Sequence, residues 1–151
     1  MRRSTGVLLV LFVLLGFAGE AGAQQDPTKP CTASTSGFSL EQNFPNPFAA
    51  GSATRIPFTL CESLFAEGHS VVVSLRVVNV IQQPVAVPAA RGHPSGEGVP
   101  ALQLEYLQPG RYFAEWNGRD ANRGLVSGGV YWIQLVIPGK PPITRRITVS
   151  R

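Results

Sequence analysis

His69, His93, Ser127 and the run Asp120-Ala121-Asn122 are the residues whose types and spacing could do chemistry. Group transfer or hydrolysis needs a nucleophile beside a base, a carboxylate pair or a metal cluster. Neither histidine belongs to an H-x-H or H-x-x-x-H pair, and both fall in predicted loops, where a histidine is ordinarily solvated. Ser127 precedes two glycines at a turn into a strand; it lacks the G-x-S-x-G elbow that leads into a helix. Asp120 and Asn122 set oxygen ligands two apart with Gly124 behind them, as at the start of a calcium loop. No acidic residue closes such a loop, and Asx side chains also stabilise plain turns by bonding their own backbone. The turn is the preferred reading and calcium the alternative. With no Gly-rich phosphate cradle or dinucleotide fingerprint, the sequence predicts a non-enzymatic protein without a cofactor or resident metal.

Cys31 and Cys61 are the remaining reactive candidates, and their compartment decides their chemistry. Arg2 and Arg3 precede an apolar run from Val7 to Ala18, and Ala21-Gly22-Ala23 follows Glu20. A charged start, a short apolar stretch and an A-x-A site make a signal peptide over 1–23, cut between Ala23 and Gln24. The apolar run is shorter than the roughly 20 residues a spanning helix needs, so no integral span is expected after cleavage. An exported chain meets oxidising conditions, which favours a Cys31–Cys61 bridge; two free thiols are the alternative. A bridge would close a loop of about 30 residues and stabilise by roughly 3–4 kcal/mol in the chain-entropy model. Neither cysteine has a second Cys or His at zinc-ligand spacing.

The elements that must position these residues all carry a β signal. After a polar leader, 24–37, comes one domain, 38–151. Ile56, Phe58 and Leu60 alternate with Arg55, Pro57 and Thr59, which predicts a strand with one wet face. Pro57 cannot donate to a ladder, so this strand is expected at an edge or with its nitrogen side free. Val71, Val73, Leu75 and Val77 mark the apolar face of the longest candidate, which a Gln82-Gln83-Pro84 turn leads into Val85 and Val87. Arg91 to Val99 is a loop. Tyr112, Ala114 and Trp116 share an inward face; Asn117-Gly118 is a tight turn. Tyr131, Ile133, Leu135 and Ile137 then face the core. Trp132 points the other way, either packing under a loop or forming a contact surface. Ile147 and Val149 belong to a final strand. The only helical candidate is Glu62 to Glu67, and it is weak. About seven short strands separated by turns predict an all-β, immunoglobulin-like antiparallel sandwich.

The net charge of +4 is spread along the chain, apart from the Arg145-Arg146 pair. No basic stripe suited to a polyphosphate is present, so nucleic acid is not an expected partner.

The stretch "FSLEQNFPNPFAAGSATRIPFTL" resembles the opening of the C-terminal sorting domains of type IX secretion cargo. The matching positions are Leu40, Gln42, Asn43, Phe44, Pro45, Asn46, Pro47 and Phe48, then Thr54, Ile56, Phe58 and Leu60. "PGRYFAEWNGRDANRGLVSGGVYWIQL" is similar to the family's later motif through Trp116, Gly118, Asp120, Gly129 and Tyr131, a segment shared with the Ig-like domain of the flagellar hook-capping protein. "TRRITVSR" resembles its closing strand. Departures are Ala49-Ala50 for Asn-Pro, Gln82 for a turn glycine and Gly128 for a serine. The resemblance implies an exported sorting or surface-attachment module, read by the secretion machinery or a surface assembly through its last strands. Here a short leader stands where such domains follow a large cargo. The alternative is a periplasmic or cell-surface structural or adhesion module that packs with a protein partner. Pro45 and Pro47 are expected to hold the opening stretch extended, with Phe44 and Phe48 buried as a rigid plug. Asn43 and Asn46 would then satisfy local backbone groups.

Overall fold

The computed structural model describes residues 36–150. The expected signal peptide, its Ala23-Gln24 cleavage site, Cys31 and nearly all of the leader lie outside the described residues. Ten strands are present among those described: β1 (Phe38–Leu40), β2 (Phe48–Ala49), β3 (Thr54–Leu60), β4 (Val71–Val78), β5 (Pro84–Ala86), β6 (Ala89–Arg91), β7 (Leu104–Tyr106), β8 (Gly110–Trp116), β9 (Gly129–Val136) and β10 (Ile143–Ser150). They form two sheets, one ordered β1-β3-β8-β6 and the other β2-β10-β9-β4-β5, with β7 also paired to β4. Every pairing between named strands is antiparallel except β2 with β10, which is parallel.

The period-two patterns place the core between the sheets. Ile56 and Phe58 from β3 and Ala114 and Trp116 from β8 are buried from one side. Val73, Leu75, Val77, Ile133, Leu135, Ile147 and Val149 are buried from the other. Alternation sends these side chains inward and their neighbours out, so each long strand contributes one apolar row. The strands beyond the expected seven or so are short pieces of two or three residues at the margins. Their stretches are too short for periodicity to register. The helical candidate after Cys61 is two successive 3-10 turns, Glu62–Leu64 and Ala66–Gly68, the second containing Glu67 at φ 62°.

Of the two placements expected for Pro57, it takes the free nitrogen side and not the edge. It is buried in β3, which lies between β1 and β8 rather than at an edge. Its carbonyl accepts the Glu41 amide on the β1 side, after the β1 ladder has ended at Leu40 and Phe58. A residue's N and C=O face the same way in such a ladder. The missing donor of Pro57 therefore points where the partner chain has begun to swing away, and its nitrogen side is free. Cys61, at the end of β3, is buried and is not a free thiol.

Candidate functional site

The opening motif leaves the β3 ladder after Glu41 and rejoins it at Phe44, which exchanges two 2.8 Å backbone hydrogen bonds with Arg55. Between those contacts Asn43 turns inward and is 4 % exposed. Its Nδ2 donates to Thr54 Oγ1 at 2.8 Å and to the Pro45 carbonyl at 3.1 Å. Thr54 Oγ1 donates to the same carbonyl at 2.7 Å, and Gln42 Nε2 donates to Asn43 Oδ1 at 2.7 Å. A buried amide and hydroxyl are thus satisfied within the motif, as such groups must be. With Asn43 turned in, alternation turns Phe44 out. Phe44 is 78 % exposed, which corrects the expectation that it forms part of the plug. Phe48 does bury, at 3 %. The Phe44-Pro45 and Asn46-Pro47 peptide bonds are cis.

Past Pro45 the motif meets the far end of the chain. Asn46 Oδ1 accepts the Thr148 amide at 2.9 Å, and its Nδ2 donates to the Arg146 carbonyl at 3.4 Å. Gln42 Nε2 reaches the same carbonyl at 2.9 Å. Asn46 therefore acts on β10, not on local backbone as the sequence suggests. The motif then becomes β2, pairing Phe48 with Val149 and Ala49 with Ser150. Backbone groups alternate in direction along a strand. Those of Arg146 and Thr148 face away from β9, so the two side-chain amides and β2 occupy the outer edge of the terminal strand. Thr144, which shares their parity, lies before the covered stretch. Arg145 Nε, at the seam between the sheets, donates to the Leu40 carbonyl at 2.9 Å.

The second motif packs behind the first. Trp116 meets Phe48 edge-on with centroids 5.4 Å apart, and Tyr131 at 5.7 Å. Its Nε1 donates to the Arg119 carbonyl at 2.8 Å, and Tyr131 OH donates to the Ser127 carbonyl at 2.8 Å. Burial raises the Tyr131 hydroxyl pKa above its ordinary value. Gly118 has φ 69°, and a Cβ there would stand 2.9 Å from Ala50 Cα, so this turn needs glycine for both reasons. Gly51 N donates across the same contact to the Asn117 carbonyl. Asp120 Oδ1 accepts the Asn122 and Gly124 amides at 2.9 and 2.8 Å, the geometry of the plain turn. Gly129 opens β9 opposite Val149. Phe48, Trp116, Gly118 and Tyr131 are thus brought together at one end of the sandwich, with Asp120 closing the adjoining loop. Asn43 and Asn46 tie that assembly to β3 and β10. Gln82, where the resemblance has a glycine, has φ 63°, the left-handed conformation a turn glycine would supply.

An open groove of about 780 Å³ lies beside this assembly, lined chiefly by Ala86, Arg91, Glu115, Trp116, Arg119 and Arg123. Its lining contains no hydroxyl, thiol, imidazole or amine side chain. Glu115 is committed to Arg91 Nη2 at 2.6 Å, and Arg91 Nη1 also holds Glu97 at 3.0 Å. Those bonds, Glu115 first, push the Arg91 pKa up. Glu97 also accepts the Gly92 amide at 2.7 Å, and its carboxyl is held below the usual range, by that amide first and then by Arg91. Among the described residues no group of three or more His, Cys, Asp or Glu could hold a metal ion, and no helix is long and apolar enough to cross a membrane.

His93 is not the solvated loop residue expected. It is 6 % exposed, with its ring 4.8 Å from that of Tyr106. Nδ1 accepts the Ser95 amide at 3.1 Å, so Nε2 carries the proton it donates to the Glu105 carbonyl at 3.0 Å. Sequence reasoning missed this cluster because β7 is only three residues long. His69 stays on the surface, its Nδ1 3.1 Å from the Ala66 carbonyl. Ser127 is exposed before β9. No family model, curated protein or solved structure matches the chain.

Proposed function

We propose that the protein is a non-enzymatic, exported β-sandwich of immunoglobulin type that works as a sorting or surface-attachment module. A protein of the secretion machinery or of a surface assembly is its partner. The sheet orders support the architectural part of the reading. β1-β3-β8-β6 and β10-β9-β4 follow the two-sheet Greek-key order of that class, with β2 and β5 added at the margins. The functional part rests on one observation: the opening motif and the terminal strand, two of the three segments that carry the resemblance, hold each other through Gln42, Asn46 and β2. The recognition element is then the composite edge they make, not a bare last strand. A partner adding a strand by main-chain pairing would begin at Thr144, where that edge is uncovered. The Cys31–Cys61 bridge belongs to the same proposal, tying the leader to the end of β3.

Deleting the last strand would not test this, because Ile147 and Val149 are core residues. Thr144→Pro is the sharper change. It removes an amide that faces away from β9 and replaces the exposed Thr144 side chain by a proline ring, and edges tolerate proline. The variant should fold with an unchanged far-ultraviolet spectrum yet lose its normal distribution between periplasm, cell surface and medium. Wild-type distribution of a folded Thr144→Pro protein would refute recognition at this edge.

A second reading, a periplasmic or surface structural module, draws on the same cover. An edge sealed by the chain's own amides is protected against strand addition. Full-length wild-type protein confined to the periplasm would favour that reading.

A further inference from the structure

We infer that the outer face of the β4-β9-β10 sheet, centred on Trp132, is a docking surface for an acidic protein partner. This goes beyond the sorting proposal and stands without it. Two rows cross this face in register: Val78, Trp132 and Arg146, of which Val78 is itself covered, and next to it Arg76, Gln134 and Thr144. Tyr131 and Ile133 turn toward the core side, so Trp132 stands on the outer side, half-buried between Val78 and Arg146. Gln134 Nε2 is pinned to Gln82 Oε1 at 2.9 Å, which fixes one margin of the surface.

Charge identifies the occupant. β4, β9 and β10 contain no carboxylate. The ion pairs among the described residues, Arg91 with Glu97 and Glu115, and Arg111 with Glu41, involve neither Arg76 nor Arg146. Both guanidiniums are on exposed residues, and Glu105, which β7 adds to this face opposite Val72, forms no ion pair with either. Tryptophan and arginine with few acids is the composition of the energetic centre of protein–protein contacts. An acidic partner supplies the ion pair that each guanidinium lacks and is steered to the face. A nucleic acid fits less well, since two guanidiniums and one indole neutralise few phosphates. A second copy fits less well too, because a two-fold contact sets a like-charged face against itself.

The test uses the full chain and poly-L-glutamate as the acidic probe, followed by tryptophan emission at low salt. Trp132→Phe assigns the responding indole, since Trp116 is buried. Binding should occur and weaken with salt. Arg76→Glu and Arg146→Glu should each weaken it by about tenfold. Arg55→Glu makes the same charge change on the other sheet, where Arg55 stands 5.5 Å from the Phe113 ring centroid. It should weaken binding by no more than about twofold, through net charge alone. Equal losses for all three variants, tighter binding of heparin or oligothymidylate than of polyglutamate, or dimerisation through Trp132 would each overturn the inference. Circular dichroism of every variant separates lost binding from lost fold.

Discussion

The two sheets end in margins that are covered by opposite means. At β6 the cover is local: Ala90 bonds Val99 and Gly98 of the loop that follows it, and Arg91 clasps Glu97. At β10 the cover comes from Asn46, 102 residues earlier in the chain. A local cover can form as soon as its own turn closes. A distant one exists only when the sandwich is assembled, because loop closure must be offset by long-range contacts. The difference implies that disturbing the β10 margin costs global stability, whereas disturbing the β6 margin loosens one loop.

Phe48→Ala should break this contrast most visibly. Phe48 is 3 % exposed against Trp116 and anchors β2 on β10. Its truncation should cost about 3–5 kcal/mol, read from chemical denaturation. A loss under about 1 kcal/mol would make the motif a surface appendage and the β10 cover dispensable. Phe44→Ala is the internal control and should leave the unfolding curve nearly unchanged.

Asn46→Ala ranks next. It leaves the Thr148 amide without its side-chain acceptor and removes one of the two amides on the Arg146 carbonyl. The expected loss is about 1–3 kcal/mol, with faster hydrogen exchange at Thr148. Asn46→Asp keeps the acceptor but loses the donor. It should retain protection at Thr148 better than alanine does, which separates the two bonds.

Much of this arrangement was legible in the residues, and the limits have physical causes. The long strands announced themselves because each buries one alternating face; Trp116 inward and Trp132 outward follow from parity alone. Asn43 could be placed near its own backbone because its partners lie within eleven residues. The partner of Asn46 could not, because a side-chain amide standing in for a strand leaves no periodic trace at either end. Phe44 misled because burial was inferred from its hydrophobicity, although its backbone parity with Asn43 sends it out. His93 misled in the reverse direction. Loop histidines are ordinarily solvated, but this one lies over Tyr106 of a strand too short to be foreseen.

Tyr106, the core residue beneath that histidine, gives the whole fold an alkaline limit. Burial, and then the neighbouring Tyr112, push the Tyr106 hydroxyl up to about 12 from 10.0. The folded state therefore holds the proton where the unfolded chain releases it. The resulting stabilisation is complete below pH 10 and is lost as pH rises toward 12. Denaturation series across that window should lose stability on the order of 2 kcal/mol, and Tyr106→Phe should flatten the decline. An identical decline in Tyr106→Phe would assign it to other groups.

The smallest effect should come from Glu97→Gln, and its smallness is what the contrast between margins demands. The side chains of Arg91 and Glu97 are 39 % and 59 % exposed, so water screens their pair and denaturation curves should barely move. The loop should still respond. Glu97 holds the Gly92 amide, and that bond is the main reason its carboxyl ionises below the usual range. A depressed carboxylate pKa contributes order above the ordinary glutamate range and loses it as the pH falls through the depressed value. Hydrogen exchange at Gly92 and Gly98 should accordingly quicken in Glu97→Gln at neutral pH. The wild type should approach the same behaviour only on acidification. Slowed refolding or a broad loss of protection across β8 would mean that the local cover supports the whole sheet, and the two margins would no longer be different in kind.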